Sequence, residues 1–304
     1  MSQADPHKTP NADKPDAPCS QNLPRWLKRR VPKGNANHFT ARLIEELELE
    51  TVCEHARCPN RMECYADRTA TFLILGNVCT RNCAFCGVPH GRPVPPDLDE
   101  PRRIAEAASR LGLRHVVITC VTRDDLPDGG ADQFRQCVES VREKTDATIE
   151  VLPSDLGGNS DALDLILDAK PDVFNHNVET VPRLYREVRG PKPRYEWTLA
   201  MFRRARERQP QVKTKSGLML GLGETDEEIV QVMRDLHASG CQMLTIGQYL
   251  RPSSEQAEVQ RYVPPEEFER WKDLALEIGF ESVASGPLVR SSYHAREMLG
   301  TEEA

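Results

Sequence analysis

From Thr71 onward, short apolar runs alternate with longer stretches whose apolar residues recur three and four positions apart. The short runs predict strands at Thr71–Leu75, His115–Thr119, Thr148–Leu152, Val173–Asn177, Lys215–Leu220, Leu244–Tyr249 and Ser282–Ser285. The longer ones predict helices near 100–111, 131–144, 160–169, 181–188, 196–208, 225–239 and 265–278. Strands alternating with helices at this spacing imply βαβ units and a parallel sheet. About six repeats of the unit predict an α/β fold of the partial (β/α)6, TIM-like barrel kind rather than an open sheet.

Upstream the pattern differs. Residues 1–24 are rich in Pro, Asp, Asn, Lys and Ser, have almost no apolar periodicity, and are predicted to be a disordered tail. Leu23-Pro24-Arg25-Trp26-Leu27 offers amphipathic anchors, and Leu43, Ile44, Leu47 and Leu49 make a helical stripe over Thr40 to Leu49. The expected organisation is a tail (1–24), an N-terminal extension (25–70), the barrel (71–285) and a C-terminal segment (286–304). Thr119, Thr122, Arg123, Asp124, Asn175, His176 and Asn177 cluster at the predicted strand C-termini. An α/β barrel places its active site there.

Composition narrows the class. Hydrophobic content of 38% and charged content of 29% fit a soluble globular protein. The net charge of −7 lacks the basic footprint of a nucleic-acid binder. No apolar run approaches the roughly 20 residues that span a bilayer, and the N-terminus has neither a secretory pattern nor the acid-poor character of a transit peptide. The expected partners therefore include no nucleic acid and no membrane, and the cytoplasm is the default location.

Six of the ten cysteines fall between positions 53 and 86. Cys53, Cys58 and Cys64 read C-x4-C-x5-C, and Cys79, Cys83 and Cys86 read C-x3-C-x2-C. In a reducing compartment such clusters bind metal rather than pair as disulfides. Four cysteines close a structural metal site, whereas three leave one coordination position for something else. The second triplet follows the strand Thr71–Leu75 and the turn Gly76-Asn77, so it can wrap one face of a cubane iron–sulfur cluster. A zinc knuckle with His90 as fourth ligand is the alternative on spacing alone.

C-x3-C-x2-C with Phe85 before the last cysteine resembles the signature of the radical S-adenosylmethionine enzymes. The neighbouring segments sharpen this to a resemblance to the lipoyl synthase family: Cys53 to Cys64, Thr69 to Gly76, Val121 to Ala131, Asn175 to Thr180, Lys215 to Glu224, Thr245 to Pro252 and Arg290-Ser-Ser-Tyr293. It covers roughly residues 25–298. It implies a radical S-adenosylmethionine barrel with an auxiliary-cluster extension before it and a short segment after it. It also implies two 4Fe–4S clusters: one on Cys79, Cys83 and Cys86, whose open iron chelates S-adenosylmethionine, and an auxiliary one on Cys53, Cys58 and Cys64. By motif position the auxiliary cluster's fourth ligand is Ser292, with Arg290 in the same motif. The hydroxyl oxygen is hard for so soft a site, which suits a ligand that must leave. A helix N-cap is the alternative for Ser291 and Ser292, but beside the cysteine triplet the ligand reading wins for Ser292.

For S-adenosylmethionine, the expected contacts are Phe85, Asp124, Asp125, Gly129, Gly130, Asn175, Asn177 and Glu224, with the two aspartates accepting ribose hydroxyls. Strand alternation would put Asn175 and Asn177 on one face and His176 on the other, and His176 is given no catalytic role. Cys120, Cys137, Cys241, Met219 and Met243 read as core, and Cys19 as part of the tail. After Ser253 the chain runs Ser254-Glu-Gln-Ala-Glu258, where the family usually carries basic and histidine residues.

The implied reaction inserts two sulfur atoms, at carbons six and eight of an octanoyl chain on a lysine of a lipoyl carrier domain. The auxiliary cluster supplies the sulfur. Implied partners are the acyltransferase subunits of 2-oxoacid dehydrogenases or the glycine-cleavage carrier protein, a low-potential electron donor and a cluster-repair protein. A biotin synthase-like enzyme would not account for the first triplet or for Arg290-Ser-Ser-Tyr293, and a non-catalytic metal carrier would not account for the barrel pattern.

Overall fold

The computed structural model describes residues 23–28 and 37–300. The predicted tail, Cys19 included, lies almost wholly outside them. One eight-stranded sheet organises the rest, in the order β1 to β8: β1 (Glu50–Thr51), β2 (Thr71–Ile74), β3 (His115–Cys120), β4 (Thr148–Leu152), β5 (Val173–Asn175), β6 (Lys213–Leu220), β7 (Met243–Gln248) and β8 (Ser282–Gly286). β1 pairs antiparallel with β2, and every later pair is parallel.

Six crossovers join β2 to β8. Because each strand lies beside its predecessor, crossovers of the usual right hand all put their helices on the same face, and the sheet curls around its other face. The order ends at β8 without returning to β1 or β2. This is the partial (β/α)6 barrel expected from the pattern, with helices α4 (Glu100–Leu111), α5 (Ala131–Lys144), α6 (Ser160–Asp168), α7 (Tyr185–Val188), α8 (Tyr195–Arg208), α9 (Asp226–Ala238) and α10 (Pro265–Ile278). Before the barrel come α1 (Asn37–Glu46), α2 (Val52–His55) and α3 (Arg61–Ala66).

Local chemistry sets the bounds. α4 has Pro101 in its first turn and ends at Gly112 in the left-handed region, φ 67°. α9 starts at a capping box in which Thr225 and Glu228 satisfy each other's backbone N–H groups. Strand β2 is buried at all four positions and β3 at its middle four, as expected where helices cover one face and side chains fill the other. β5 is shorter than the apolar run suggested. It stops at Asn175, so strand alternation does not govern His176 and Asn177.

The barrel's interior holds a polar plug. Lys215 on β6 donates to both oxygens of Glu150 on β4, at 3.1 and 3.0 Å, and both side chains are fully buried. Asn175 Nδ2 donates to Glu150 at 2.7 Å, and His115 Nε2 stands 3.4 Å from it. Burial alone would push the Glu150 carboxyl up, but the Lys215 ammonium and His115 outweigh it and bring it down to about 2. Its folded value therefore lies below the unfolded value of about 4.3. The stability it contributes is complete above that value and is lost as pH falls towards 2. Lys215→Met should cost about 3–5 kcal/mol in urea unfolding of the metal-free protein, because it strands a buried carboxylate. Lys215→Met combined with Glu150→Leu should cost less than the single change.

Candidate functional site

The site is built on the loop that leaves β2. Leu75 and Gly76 both adopt positive φ, 69° and 86°, and turn the chain over the strand ends. Buried Arg123 donates to the Leu75 carbonyl at 3.0 Å, and Glu100 accepts from the Leu75 N–H at 3.1 Å. The loop of the second triplet is pinched shut where Cys79 N–H meets Pro89 O at 2.8 Å and Gly91 N–H meets Cys79 O at 2.9 Å. Its interior is pinned by Arg81. That buried guanidinium donates to Asp124 at 2.7–3.1 Å and to Asp155 at 2.7 and 2.8 Å, in the loops after β3 and β4.

The first triplet is shaped by short helices that the sequence pattern missed. Cys53 lies on α2, Arg57 takes φ 50° at its end, and the Cys58 N–H returns to Cys53 O at 3.1 Å. Cys64 lies on α3. The C-terminal segment crosses this region. Asn60 Nδ2 donates to Leu288 O, Tyr293 Oη to Glu63 and Thr71 Oγ1 to Ser292 Oγ, at 2.8, 2.8 and 2.9 Å.

These pieces surround one cavity of about 450 Å3 at the C-terminal ends of the parallel strands. Cys53 and Cys58 line it together with Cys79, Cys83, Cys86, Phe85, Arg290, Ser291 and Ser292, while Cys64 is outside the lining. Burial pushes the Cys53 and Cys83 thiols up to about 11 and Cys86 up to about 12. Ligation of metal by these groups therefore displaces protons. Backbone N–H groups of Arg81 and Thr122 point at Cys79 Sγ, at 3.4 and 3.3 Å, and that of Val88 at Cys86 Sγ at 3.5 Å. Among the described residues no three His, Cys, Asp or Glu side chains converge as a single metal ion requires. The thiols instead line the wall of a wide cavity, and His90 is exposed at the loop base. Soft donors around such a space suit a cluster.

The opposite wall suits a polar organic ligand. His176 Nδ1 lies 3.1 Å from Pro153 O, while its Nε2, Asn177 Oδ1 and Arg189 Nε are buried without a protein partner. Gly217 makes room there, since a Cβ would sit 2.7 Å from Asn177 Oδ1. Glu179, in the left-handed region at φ 67°, lines the same wall, and burial raises its carboxyl against the pull of Arg189.

The structure places the other sequence-predicted residues in different surroundings. Asp124 is claimed by Arg81 and Lys192, and Asp125 by Arg123 at 2.8–2.9 Å, so neither lines the cavity. Gly129 and Gly130, at φ 62° and 92°, serve close packing on Leu156 and Leu75. Asn175 belongs to the plug below, through Glu150. Glu224 accepts from the Gly221 and Leu222 N–H groups at 2.5 and 2.9 Å and faces a separate groove. Phe85 and Asn177 do line the cavity, as does His176 of the same strand-end cluster, joined by Glu179, Arg189, Cys120 and Met219, which the sequence did not single out for the site. Cys137, Cys241 and Met243 are core as expected.

Comparison with known proteins fits this geometry. The model of the radical SAM superfamily matches residues 73–236, more than half of the chain, and fold and site together define a radical S-adenosylmethionine protein. Solved structures show the same fold: methylornithine synthase (TM-score 0.50, 16% identity, covering 86% of this chain and 87% of that one) and the FeFe-hydrogenase maturase HydG from Carboxydothermus hydrogenoformans (0.52, 16%, 87% and 78%). A model for the N-terminal domain of lipoyl synthase of the radical SAM family matches residues 4–58, beginning well upstream of the motif resemblance. Lipoyl synthase from Rhodopirellula baltica is 60% identical over 94% of this chain and 91% of its own length, and that from Caldanaerobacter subterraneus 55% over 90% and 95%. The chain belongs to the lipoyl synthase family.

Burial, with Arg189 adding to it, lowers the His176 imidazole to about 4. Its ring signals in NMR should therefore hold constant between about pH 5 and 8, where a free histidine titrates.

Proposed function

We infer that this cavity carries out the family's reaction, with the chain's own residues in the roles given below. The protein is a radical S-adenosylmethionine enzyme that inserts two sulfur atoms, at carbons six and eight of an octanoyl chain held on a lysine of a carrier protein. The observation that carries the reading is that residues of both cysteine triplets and Ser292 face one cavity. In this assignment Cys79, Cys83 and Cys86 hold the cluster that binds S-adenosylmethionine, and Cys53, Cys58, Cys64 and Ser292 hold the auxiliary one. When bound, the first would supply the electron for reductive cleavage of S-adenosylmethionine, and the second would supply sulfur.

The residues present have definable tasks. Arg81, locked between two carboxylates, keeps the loop of Cys79 to Cys86 in register with β3 and β4. Asn177, His176 and Arg189 offer unpaired polar atoms, and Glu179 a buried acceptor beside Asn177, for the hydroxyls and charged ends of S-adenosylmethionine. Phe85 adds an apolar face. Val52, Leu73, Val121, Leu152, Leu218 and Leu250 give the cavity an apolar lining. Such a wall suits an eight-carbon chain and keeps water from the radical. No acid–base pair is required, since hydrogen-atom abstraction moves no separate proton.

The substrate's carrier is a lipoyl carrier domain of a 2-oxoacid dehydrogenase acyltransferase subunit or of the glycine-cleavage system. A low-potential donor supplies electrons, and a repair protein rebuilds the consumed cluster. Among the described residues no helix is long and apolar enough to cross a membrane. Six thiols that must stay reduced ask for a reducing compartment, which the cytoplasm supplies.

Anaerobic reconstitution should load about eight irons, from two four-iron clusters, and zinc in their place would overturn the reading. With dithionite, S-adenosylmethionine and an octanoyl-lysyl peptide, mass spectrometry should show deoxyadenosine and a gain of two sulfurs. Deoxyadenosine alone would keep the radical chemistry and reject the substrate. Cys83→Ala should abolish deoxyadenosine while sparing the auxiliary cluster. Ser292→Ala should slow sulfur insertion by at least about tenfold, and Ser291→Ala by much less; equal mild losses would overturn the ligand role of Ser292.

A further inference from the structure

Ser291 and Ser292 both line the cavity, yet only Ser292 is anchored, and the anchor is Thr71. Thr71 opens β2, pairs in register with Val117 of β3, and is 4% exposed. A β-branched side chain in a buried strand has little freedom at χ1, so its hydroxyl is a fixed donor. It donates to Ser292 Oγ at 2.9 Å, and Thr71, Ser292 and Cys53 all line the same cavity. The strand that packs on the N-terminal α2 thus also holds the C-terminal segment. The other two tethers of that segment, Asn60 to the Leu288 carbonyl and Tyr293 to Glu63, do not involve the Ser292 oxygen.

We propose that Thr71 is a positioning residue for Ser292, holding its oxygen beside Cys53 and setting how tightly that oxygen binds metal. The proposal rests on the auxiliary-cluster assignment above. A donor aimed at an oxygen draws off negative charge, so a serine oxygen that accepts from Thr71 is a weaker ligand than a bare alkoxide. The same bond keeps the freed hydroxyl within reach of Cys53 instead of letting it swing into the cavity. Ordering and loosening the ligand come from one contact.

The test uses full-length protein carrying Cys79→Ala, Cys83→Ala and Cys86→Ala, so that only the first triplet can bind a cluster. Thr71→Val and Thr71→Ser are compared in that background. In metal-free protein, hydrogen exchange of residues 290–294 should quicken about fivefold in Thr71→Val, the factor expected for one lost hydrogen bond. Exchange in β3 should stay at the parental rate, which separates loss of the contact from loss of the fold. Thr71→Ser should restore slow exchange. After loading, Mössbauer spectra should show the distinct iron of oxygen ligation altered in Thr71→Val and parental in Thr71→Ser. Parental exchange and spectra in Thr71→Val, or Thr71→Ser behaving as Thr71→Val, would overturn the proposal. If the parent background takes up no iron, the auxiliary assignment fails, and Thr71 has no ligand to position.

Discussion

A guanidinium taken out of water has to be paired, because an unmatched buried charge costs several kcal/mol. Arg81 sits in the middle of the second cysteine loop and meets that demand with two carboxylates, Asp124 and Asp155. Those partners come from the loops that follow β3 and β4. The loop of Cys79 to Cys86 therefore has no position of its own; it is wherever the sheet puts the two aspartates. Parallel strand order, buried faces and the closing of the loop base at Cys79 and Gly91 all converge on that arrangement.

The rest of the cavity inherits its geometry from it. Because the strands run parallel and in sequence, their C-terminal ends form one rim. Cys120 at the end of β3 and Thr122 beyond it, Pro153 and Ser154 after β4, and His176 and Asn177 after β5 lie along it. Below the rim, Lys215 and Glu150 fill the interior with a satisfied ion pair, so the barrel has a floor. Even the stretch Ser254 to Glu258, which departs from the family pattern, packs back on this frame. Ala257 N–H reaches Ala84 O at 2.7 Å, and Tyr249 Oη reaches Ala257 O at 2.8 Å.

The architecture was legible because its signals are local. α5 and α10 begin and end where the apolar period does, and the repeated strand–helix alternation dictates the curl. The six clustered cysteines were legible for the same reason. The ribose contacts were not. Asp124 and Asp125 have the right chemistry for hydroxyls, but nothing in a linear sequence reveals that Arg81 and Arg123 claim them first. Asn175 and Asn177 parted company because β5 ends between them, and a polar run carries no period to mark that end. Glu179 was overlooked since its positive φ, which turns it to the cavity, leaves no trace in residue type.

The tie between the extension and the C-terminal segment also has a meaning in time. Two of its contacts, and the bond from Thr71 at the start of β2, span 228, 230 and 221 residues of sequence. At roughly 5–20 residues per second, a ribosome needs about ten to fifty seconds to bridge such a distance. Throughout that interval the first triplet waits without the C-terminal segment that crosses it in the finished protein. Oxidation or capture of the wrong metal has its best opportunity then, before the protein is finished. The nascent chain is in this respect more vulnerable than the mature one, and the timing of cluster delivery matters as much as its chemistry.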